Sequence, residues 1–355
     1  MREALALAEH AVGLSDPNPR VGCVIVADDG SVIGRGHTQE AGGPHAEVMA
    51  LRDAASRGAE VHGATIVVTL EPCSHHGRTP PCADALVAAG VGRVVMAMRD
   101  PNPLVAGQGM DRFAAAGIEV VAGPFESEAR ELNIGFVSRM ERGRPWLRLK
   151  AAVSLDGRSA LENGASQWIT GEAARTDGHA WRKRAGAVLT GVGTVLDDDP
   201  RLDVRLVPTA RQPLRVIVDS RLQTSPDARI VALPGSVLLY AANEDAERQQ
   251  ELQSHGVEIA MLASATGKVD LKAMLDDLGK RGINELHVEA GEKLNASLLR
   301  EGLVDELLVY IAPRLLGSGR GLAALGPFER LEQSLDFHIV ETKLVGADLR
   351  LRLRR

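Results

Sequence analysis

Thr69-Leu-Glu-Pro-Cys-Ser-His-His-Gly-Arg-Thr-Pro-Pro-Cys82 joins two segments of different period. Before it, Ala64–Leu70 is a run of β-branched and apolar residues that suits a buried strand, and after it the apolar positions of Cys82–Ala89 recur as on a helix. Each cysteine follows a proline. Cys82 opens its helix, where the positive end of the helix dipole favours thiolate over thiol. Upstream, Pro44-His-Ala-Glu47 begins a second predicted helix, His45–Arg57. Residues two apart do not share a helix face, so His45 and Glu47 serve one site only from the first turn, a position that Pro44 fits.

One imidazole and two thiolates are the protein donors of a tetrahedral zinc whose fourth position stays open, the catalytic rather than the structural arrangement. H-x-E followed by P-C is the pattern of the zinc deaminases. There the glutamate is no ligand but carries protons between water, the ring nitrogen and the departing ammonia. His45, Cys73 and Cys82 are therefore the candidate metal ligands and Glu47 the candidate catalytic residue. The spacing departs from the deaminase pattern: eight residues, Ser74 to Pro81, separate the cysteines where two are usual. Such an insertion either breaks the site or forms a substrate loop. The competing reading, two buried thiols and no metal, does not account for the H-x-E upstream. His75 and His76 read as substrate contacts or solvated side chains rather than rival ligands. Cys23, inside an apolar strand, reads as core packing.

Outward from this centre the elements alternate. Ala4–Leu14 reads as a helix, Val21–Ala27 and Val32–His37 as a hairpin closed by Asp28-Asp29-Gly30, then Arg93–Met98, Gln108–Ala116, Ile118–Ala122 and one helix over Ser127–Met140. Glu141-Arg-Gly-Arg-Pro145 is charged and broken, as a junction is. The expected domains are a deaminase domain over 1–143 and a second α/β domain over 144–355, with strands at Trp146–Val153, Ala187–Thr190, Leu214–Asp219, Val237–Ala241, Glu285–Glu289 and Glu306–Ala312. A chain of 355 residues exceeds what one core usually encloses. Its net charge of −6 provides no field to gather a polyanion, so a small molecule is expected as partner and nucleic acid is not. No apolar run is long enough for a membrane span, and Glu3 and Glu9 interrupt the first ten residues, which predicts a cytoplasmic protein. Three cysteines make no disulfide framework.

Taken together, Asn18-Pro-Arg-Val-Gly-Cys-Val-Ile-Val26, Pro44–Glu47 and Thr69–Cys82 resemble the bifunctional riboflavin-biosynthesis deaminase/reductase family, of which the eight-residue insertion is itself a mark. Motifs of the second half extend the resemblance over nearly the whole chain: Lys150-Ala-Ala-Val-Ser-Leu-Asp-Gly157, Ser166-Gln-Trp-Ile-Thr170, Thr194-Val-Leu-Asp-Asp198, Val218-Asp-Ser220, Val288-Glu-Ala-Gly291, Val304-Asp-Glu-Leu307 and Ala312-Pro-Arg-Leu-Leu-Gly317. The resemblance implies a cytidine-deaminase-like α/β/α domain with one zinc ion, followed by a dihydrofolate-reductase-like α/β domain that uses NADPH. It implies zinc-dependent hydrolytic deamination of 2,5-diamino-6-(5-phosphoribosylamino)pyrimidin-4(3H)-one and then NADPH-dependent reduction of the ribosyl group to ribityl, in a homo-oligomer, dimer or tetramer. By resemblance, Ala152, Trp168, Thr194, Asp198, Ser220 and the turn Gly291, Glu292, Lys293, Leu294, Asn295, Ala296, Ser297 meet NADPH. Ser166, Arg182, Leu202, Arg205 and Glu289 meet the substrate.

Read without the family, these residues say less. Gly191-Val-Gly-Thr-Val-Leu196 begins like a dinucleotide fingerprint, but Leu196 stands at the third glycine, which disfavours a Rossmann domain. Ala290-Gly291 leads from a strand into a helix whose first N–H groups suit a phosphate. Arg182 and Arg205 are guanidinium forks for the substrate phosphate or solvated surface residues. Trp168 is a cofactor contact or a core residue. Two other functions are weighed. A deaminase for cytidine or tRNA adenosine is opposed by the negative charge and the insertion, and a non-catalytic nucleotide-binding regulator by the intact His45, Glu47, Cys73 and Cys82.

Overall fold

The Val/Ile runs of the first 144 residues become five strands in a computed structural model that describes residues 1–74, 80–103 and 106–355. His75 and His76 lie outside the described residues. The elements are α1 (Arg2–Glu9), β1 (Gly22–Val26), β2 (Val32–His37), α2 (Ala46–Ser56), β3 (Thr65–Val68), α3 (Cys82–Ala88), β4 (Arg93–Met96), α4 (Gln108–Ala115), β5 (Glu119–Ala122), α5 (Glu126–Leu132) and α6 (Ile134–Arg142). They form one compact unit, Met1–Arg144. The sheet order is β2-β1-β3-β4-β5, with β1 antiparallel to both neighbours and β3, β4 and β5 parallel.

One packing contact sets the site. Gly34 and Gly36 face α2 so closely that a Cβ added to them would lie 2.5 Å from the Ala50 carbonyl and 2.2 Å from that of Ala46. With no side chains between them, β2 and the first half of α2 are held backbone to backbone, which fixes where the helix begins.

Two expectations fail at helix ends. The first helix stops at Glu9 rather than Leu14; turns follow, and Gly13 takes a φ of 75°, outside the helical region. The single helix expected over Ser127–Met140 is two, α5 and α6, broken at Asn133. That residue is buried, and its side chain accepts from Arg20 N–H at 2.7 Å and donates to Arg20 O at 2.9 Å. An amide that ties a distant segment in this way competes with the local helix.

The second unit, Pro145–Arg355, contains β6 (Trp146–Ser154), β7 (Arg158–Leu161), α7 (Glu172–Arg184), β8 (Ala187–Gly191), α8 (Val192–Asp198), β9 (Leu214–Val218), α9 (Arg229–Ala232), β10 (Val237–Ala241), α10 (Ala246–Ser254), β11 (Val257–Met261), α11 (Leu271–Lys280), β12 (Glu285–Val288), α12 (Glu292–Arg300), β13 (Glu306–Ala312), β14 (Gly319–Gly321), β15 (His338–Val345) and β16 (Asp348–Arg354). Nine strands form one sheet in the order β11-β10-β9-β8-β12-β6-β13-β16-β15. It is parallel from β11 to β13 and closes with the antiparallel β16 and β15. β7 and β14 make a separate ribbon.

Alternation along β6, β12 and β13 sends Leu147, Leu149, Leu286, Val288, Leu307 and Val309 into the main apolar cluster. On the other face Arg148, between Leu147 and Leu149, and the strand-end residues Glu285 and Glu306 are buried too and form an ionic layer, with Leu308 beside them. Arg148 lies between Glu285 at 2.8 Å and Glu306 at 2.6 Å, under the Trp181 ring of α7 at 4.4 Å, while Arg352 and Arg354 of β16 also reach Glu306. Burial alone would raise the Glu306 carboxyl, but Arg148 and Arg352 outweigh it and hold it at about 2. Among the described residues no helix is long and apolar enough to cross a membrane.

Candidate metal centre and cofactor cavity

His45 is the N-cap of α2, with extended backbone (φ −77°, ψ 169°), so its ring leaves the helix at the first turn, where Glu47 also sits. Cys73 follows β3, and Cys82 is the first residue of α3. The three side chains converge: His45 Nδ1 is 3.5 Å from Cys73 Sγ and 3.3 Å from Cys82 Sγ, and all three donor atoms lie within 4.8 Å of one another. Zinc bonds of about 2.0–2.3 Å at tetrahedral angles put such donors roughly 3.5 Å apart, so the donor set fits that ion in both chemistry and spacing.

The surroundings favour thiolate at Cys73, whereas Cys82, whose thiol donates to Cys73 and is itself buried, is pushed up, against the expectation from its place at the helix start. The Cys82 backbone N–H donates to Cys73 Sγ at 3.3 Å. Hydrogen bonding from the Cys82 thiol, then from His45 and that backbone N–H, draws the Cys73 thiol well below its ordinary range. His45 is raised by its bond to Cys73. Glu47 is only 3% exposed; burial, with the Cys73 charge beside it, pushes its carboxyl up to about 7, where it can both take and give a proton near neutral pH. Cys23 is fully buried in β1, as core packing predicts.

Glu71 was missed by sequence reading, although it was quoted beside Pro72-Cys73. Its buried carboxylate accepts from the backbone N–H of Asp100, Gly107 and Gly109, each at 3.1 Å. It thereby anchors the start of α4 to the segment that carries Cys73. Only the pattern of its partners reveals this, and those lie 29, 36 and 38 residues downstream.

The second unit has a cavity of about 1010 Å³ outside the carboxyl ends of β8, β9 and β12, where open parallel sheets bind their ligands. Of the residues expected at NADPH, Ala152, Trp168, Thr194, Asp198, Gly291, Glu292, Lys293, Leu294 and Asn295 line it; Ser220, Ala296 and Ser297 do not. All five residues expected at the substrate, Ser166, Arg182, Leu202, Arg205 and Glu289, line the same cavity. Trp168 is 61% exposed, with the Arg175 guanidinium 4.9 Å from its ring centre, so it is no core residue. Ser166 Oγ donates to Asp198 at 3.1 Å. Gly291 caps α12, so the first N–H groups of that helix border the cavity, and the size and this helix start suit a dinucleotide.

Arg182 is neither a solvated residue nor an open fork. Its Nε and Nη2 clasp the two oxygens of Glu289, Nη2 at 3.0 Å, and Nη1 donates to the Asp203 carbonyl at 2.9 Å. Lys150, which also lines the cavity, stands with its Nζ 3.5 Å from Glu289. Burial would raise the Glu289 carboxyl, but Arg182 and Lys150 prevail and hold it well below the usual carboxylate range. Arg205 pairs with Asp203 at 2.6 Å.

Comparison with known proteins gives a consistent picture. The family model "RibD C-terminal domain" matches residues 145–351, and "Cytidine and deoxycytidylate deaminase zinc-binding region" matches residues 1–98. The riboflavin biosynthesis protein RibD of Escherichia coli (strain K12) is 48% identical over 99% of this chain and 98% of its own length; that of Aquifex aeolicus is 41% identical over 100% and 97%. Among solved structures, Acinetobacter baumannii RibD superposes with a TM-score of 0.90 at 44% identity, covering 99% of this chain and 97% of that one. A diaminohydroxyphosphoribosylaminopyrimidine deaminase/5-amino-6-(5-phosphoribosylamino)uracil reductase from Thermotoga maritima does so with 0.90 at 35%, covering 100% and 97%.

Proposed function

The chain belongs to the RibD family, the bifunctional deaminase/reductases of riboflavin biosynthesis, and on that premise we propose how its residues divide the work. The protein is a zinc-dependent deaminase and an NADPH-dependent reductase, with a cytidine-deaminase-like fold in its first unit and a RibD reductase fold in its second. The deaminase domain is residues 1–143 and the reductase domain 144–355. The substrate is the small phosphorylated diaminopyrimidine ribosylamine, with no nucleic acid and no membrane involved, in the cytoplasm. The single observation that carries the deaminase assignment is the convergence of His45, Cys73 and Cys82 beside a buried Glu47.

His45, Cys73 and Cys82 hold the metal. When bound, zinc supplies Lewis-acid activation of water, and NADPH supplies the hydride. Glu47 takes a proton from the attacking water and passes it to the ring nitrogen, then takes the remaining proton of the added hydroxyl as the carbonyl forms and delivers it to the leaving amine; a carboxyl near pKa 7 suits both directions. In the reductase cavity, Asp198 orients Ser166, and Arg182 and Lys150 hold Glu289 ionised, so that the three are fixed together beside the substrate. The remaining cavity residues orient cofactor and ribosyl chain so that hydride reaches the ring-opened carbon.

Exposed apolar side chains on β15, at the edge of the large sheet, support the homo-oligomer. The test of the two-site reading supplies the diamino substrate and NADPH to wild type and to Glu47→Ala. Ammonia release is expected to fall by roughly 10²–10⁴-fold, while NADPH oxidation with the supplied deaminated intermediate is retained. Loss of both activities in a folded variant refutes the division.

A further inference from the structure

Beside the large cavity lies a second one of about 300 Å³, which shares Lys293 and Leu294 with it and continues along α12 to Arg300. Three of its seven lining residues, Lys268, Lys293 and Arg300, are cations, and none is an acid. Among the described residues none of the three forms an ion pair. By contrast, the buried or half-buried Arg148, Arg182 and Arg350, and Arg205 at the large cavity, are each matched to a carboxylate. Like charges around one concavity repel, and an anion between them removes that cost.

The cations are presented on defined supports. Arg300 Nη2 donates to the Ala324 carbonyl on the cleft wall at 2.5 Å. Lys268 belongs to a tight turn closed by Ser264 N–H on the Lys268 carbonyl at 2.7 Å, and the next residue, Val269, donates its N–H to Ser220 Oγ at 3.2 Å. Ser220 lies just beyond β9, so this contact brings the Lys268 turn to the ligand-binding edge of the sheet. Leu294, shared by both cavities, gives an apolar surface between them.

We propose that the small cleft binds a phosphomonoester dianion carried on a nucleoside whose other end occupies the large cavity, namely the 2′-phosphate of NADPH, and that Lys268 and Arg300, with Lys293, select NADPH over NADH. The proposal rests on the reading that the large cavity holds the dinucleotide. Lys268 and Arg300 lie outside the positions expected at the cofactor, and both are exposed, so their replacement leaves the fold intact.

The test is calorimetric titration of the full-length protein with NADP⁺, NAD⁺, adenosine 2′,5′-bisphosphate, 5′-AMP and inorganic phosphate. Wild type is expected to prefer the bisphosphate over 5′-AMP, and Lys268→Ala and Arg300→Ala each to reduce that preference by on the order of tenfold while leaving 5′-AMP binding and Tm unchanged. Lys268→Arg is expected to restore it. A double Lys268→Ala, Arg300→Ala variant that keeps the wild-type preference overturns the proposal. So does a variant that loses only inorganic phosphate, which assigns the cleft to a free anion. Failure of wild type to bind either dinucleotide removes the underlying cofactor reading as well, and is distinguished by that result alone.

Discussion

That His45, Glu47, Cys73 and Cys82 come together was legible in short motifs: a helix start after proline and two prolyl-cysteine steps. Cys82→Ser keeps the size of the side chain but weakens the donor. Bound zinc measured by atomic absorption is expected to fall well below stoichiometric, and ammonia release by more than roughly 100-fold. Retention of full zinc would remove Cys82 from the ligand set. Removing the metal from wild type with a chelator should reproduce the loss of ammonia release and spare NADPH oxidation. Other functional residues were not legible, for a physical reason. Glu71 acts by accepting three backbone N–H groups from the 100–109 segment, and Arg182 by clasping a glutamate 107 positions away. Neither partner is set by local sequence, so the fork of Arg182 reads as open until the fold closes it.

Elements were legible where their burial is one-sided or complete. All six strands expected in the second half exist, because each is a dense apolar run between turn signals. β7, β11, β14, β15 and β16 were not expected: β7 and β14 are very short, β11 is a half-exposed edge strand, β15 is largely exposed, and β16 alternates Leu with Arg or Asp. Two predictions belong to this scale. Ala at Gly36 places a Cβ 2.2 Å from the Ala46 carbonyl, so α2 must shift or the hairpin must bend, at a cost of about 1–3 kcal/mol. Gly36→Ala is expected to lower both zinc content and deaminase kcat, although the residue lies outside the metal ligands; unchanged values would show that the seam does not position the site. The second concerns the ion layer. Glu306 has a folded pKa of about 2 against an ordinary 4.5, so the unfolded chain binds the proton more tightly between those values. Its contribution is complete above about pH 4.5 and is lost as the pH falls toward about 2. The Tm of the second unit should drop across that window, and less steeply in Glu306→Gln, which starts lower but cannot titrate. Parallel slopes for the two proteins would refute the assignment.

At the scale of the whole molecule, two units carry two chemistries, and contacts divide the chain between Arg144 and Pro145, inside the charged, Gly- and Pro-broken stretch Glu141–Pro145. The proposed assembly has no motif of its own in the chain. On β15, Ile339, Val340 and Leu344 are 60%, 40% and 73% exposed. Leu344→Glu is expected to shift the mass measured by light scattering toward the monomer, and an unchanged oligomer would place the contact elsewhere. The topology of the second sheet also bears on how the chain comes off the ribosome. β6 is made first but pairs with β12 and β13, so Arg148 waits 137 residues for Glu285 and 158 for Glu306. Until both arrive, a lone cation and an unpaired strand stand open to water and to other nascent chains, whereas the first unit is already finished. Interrupted translation would therefore leave a folded deaminase trailing an aggregation-prone stub, and holdase chaperones would be needed for the reductase half far more than for its predecessor.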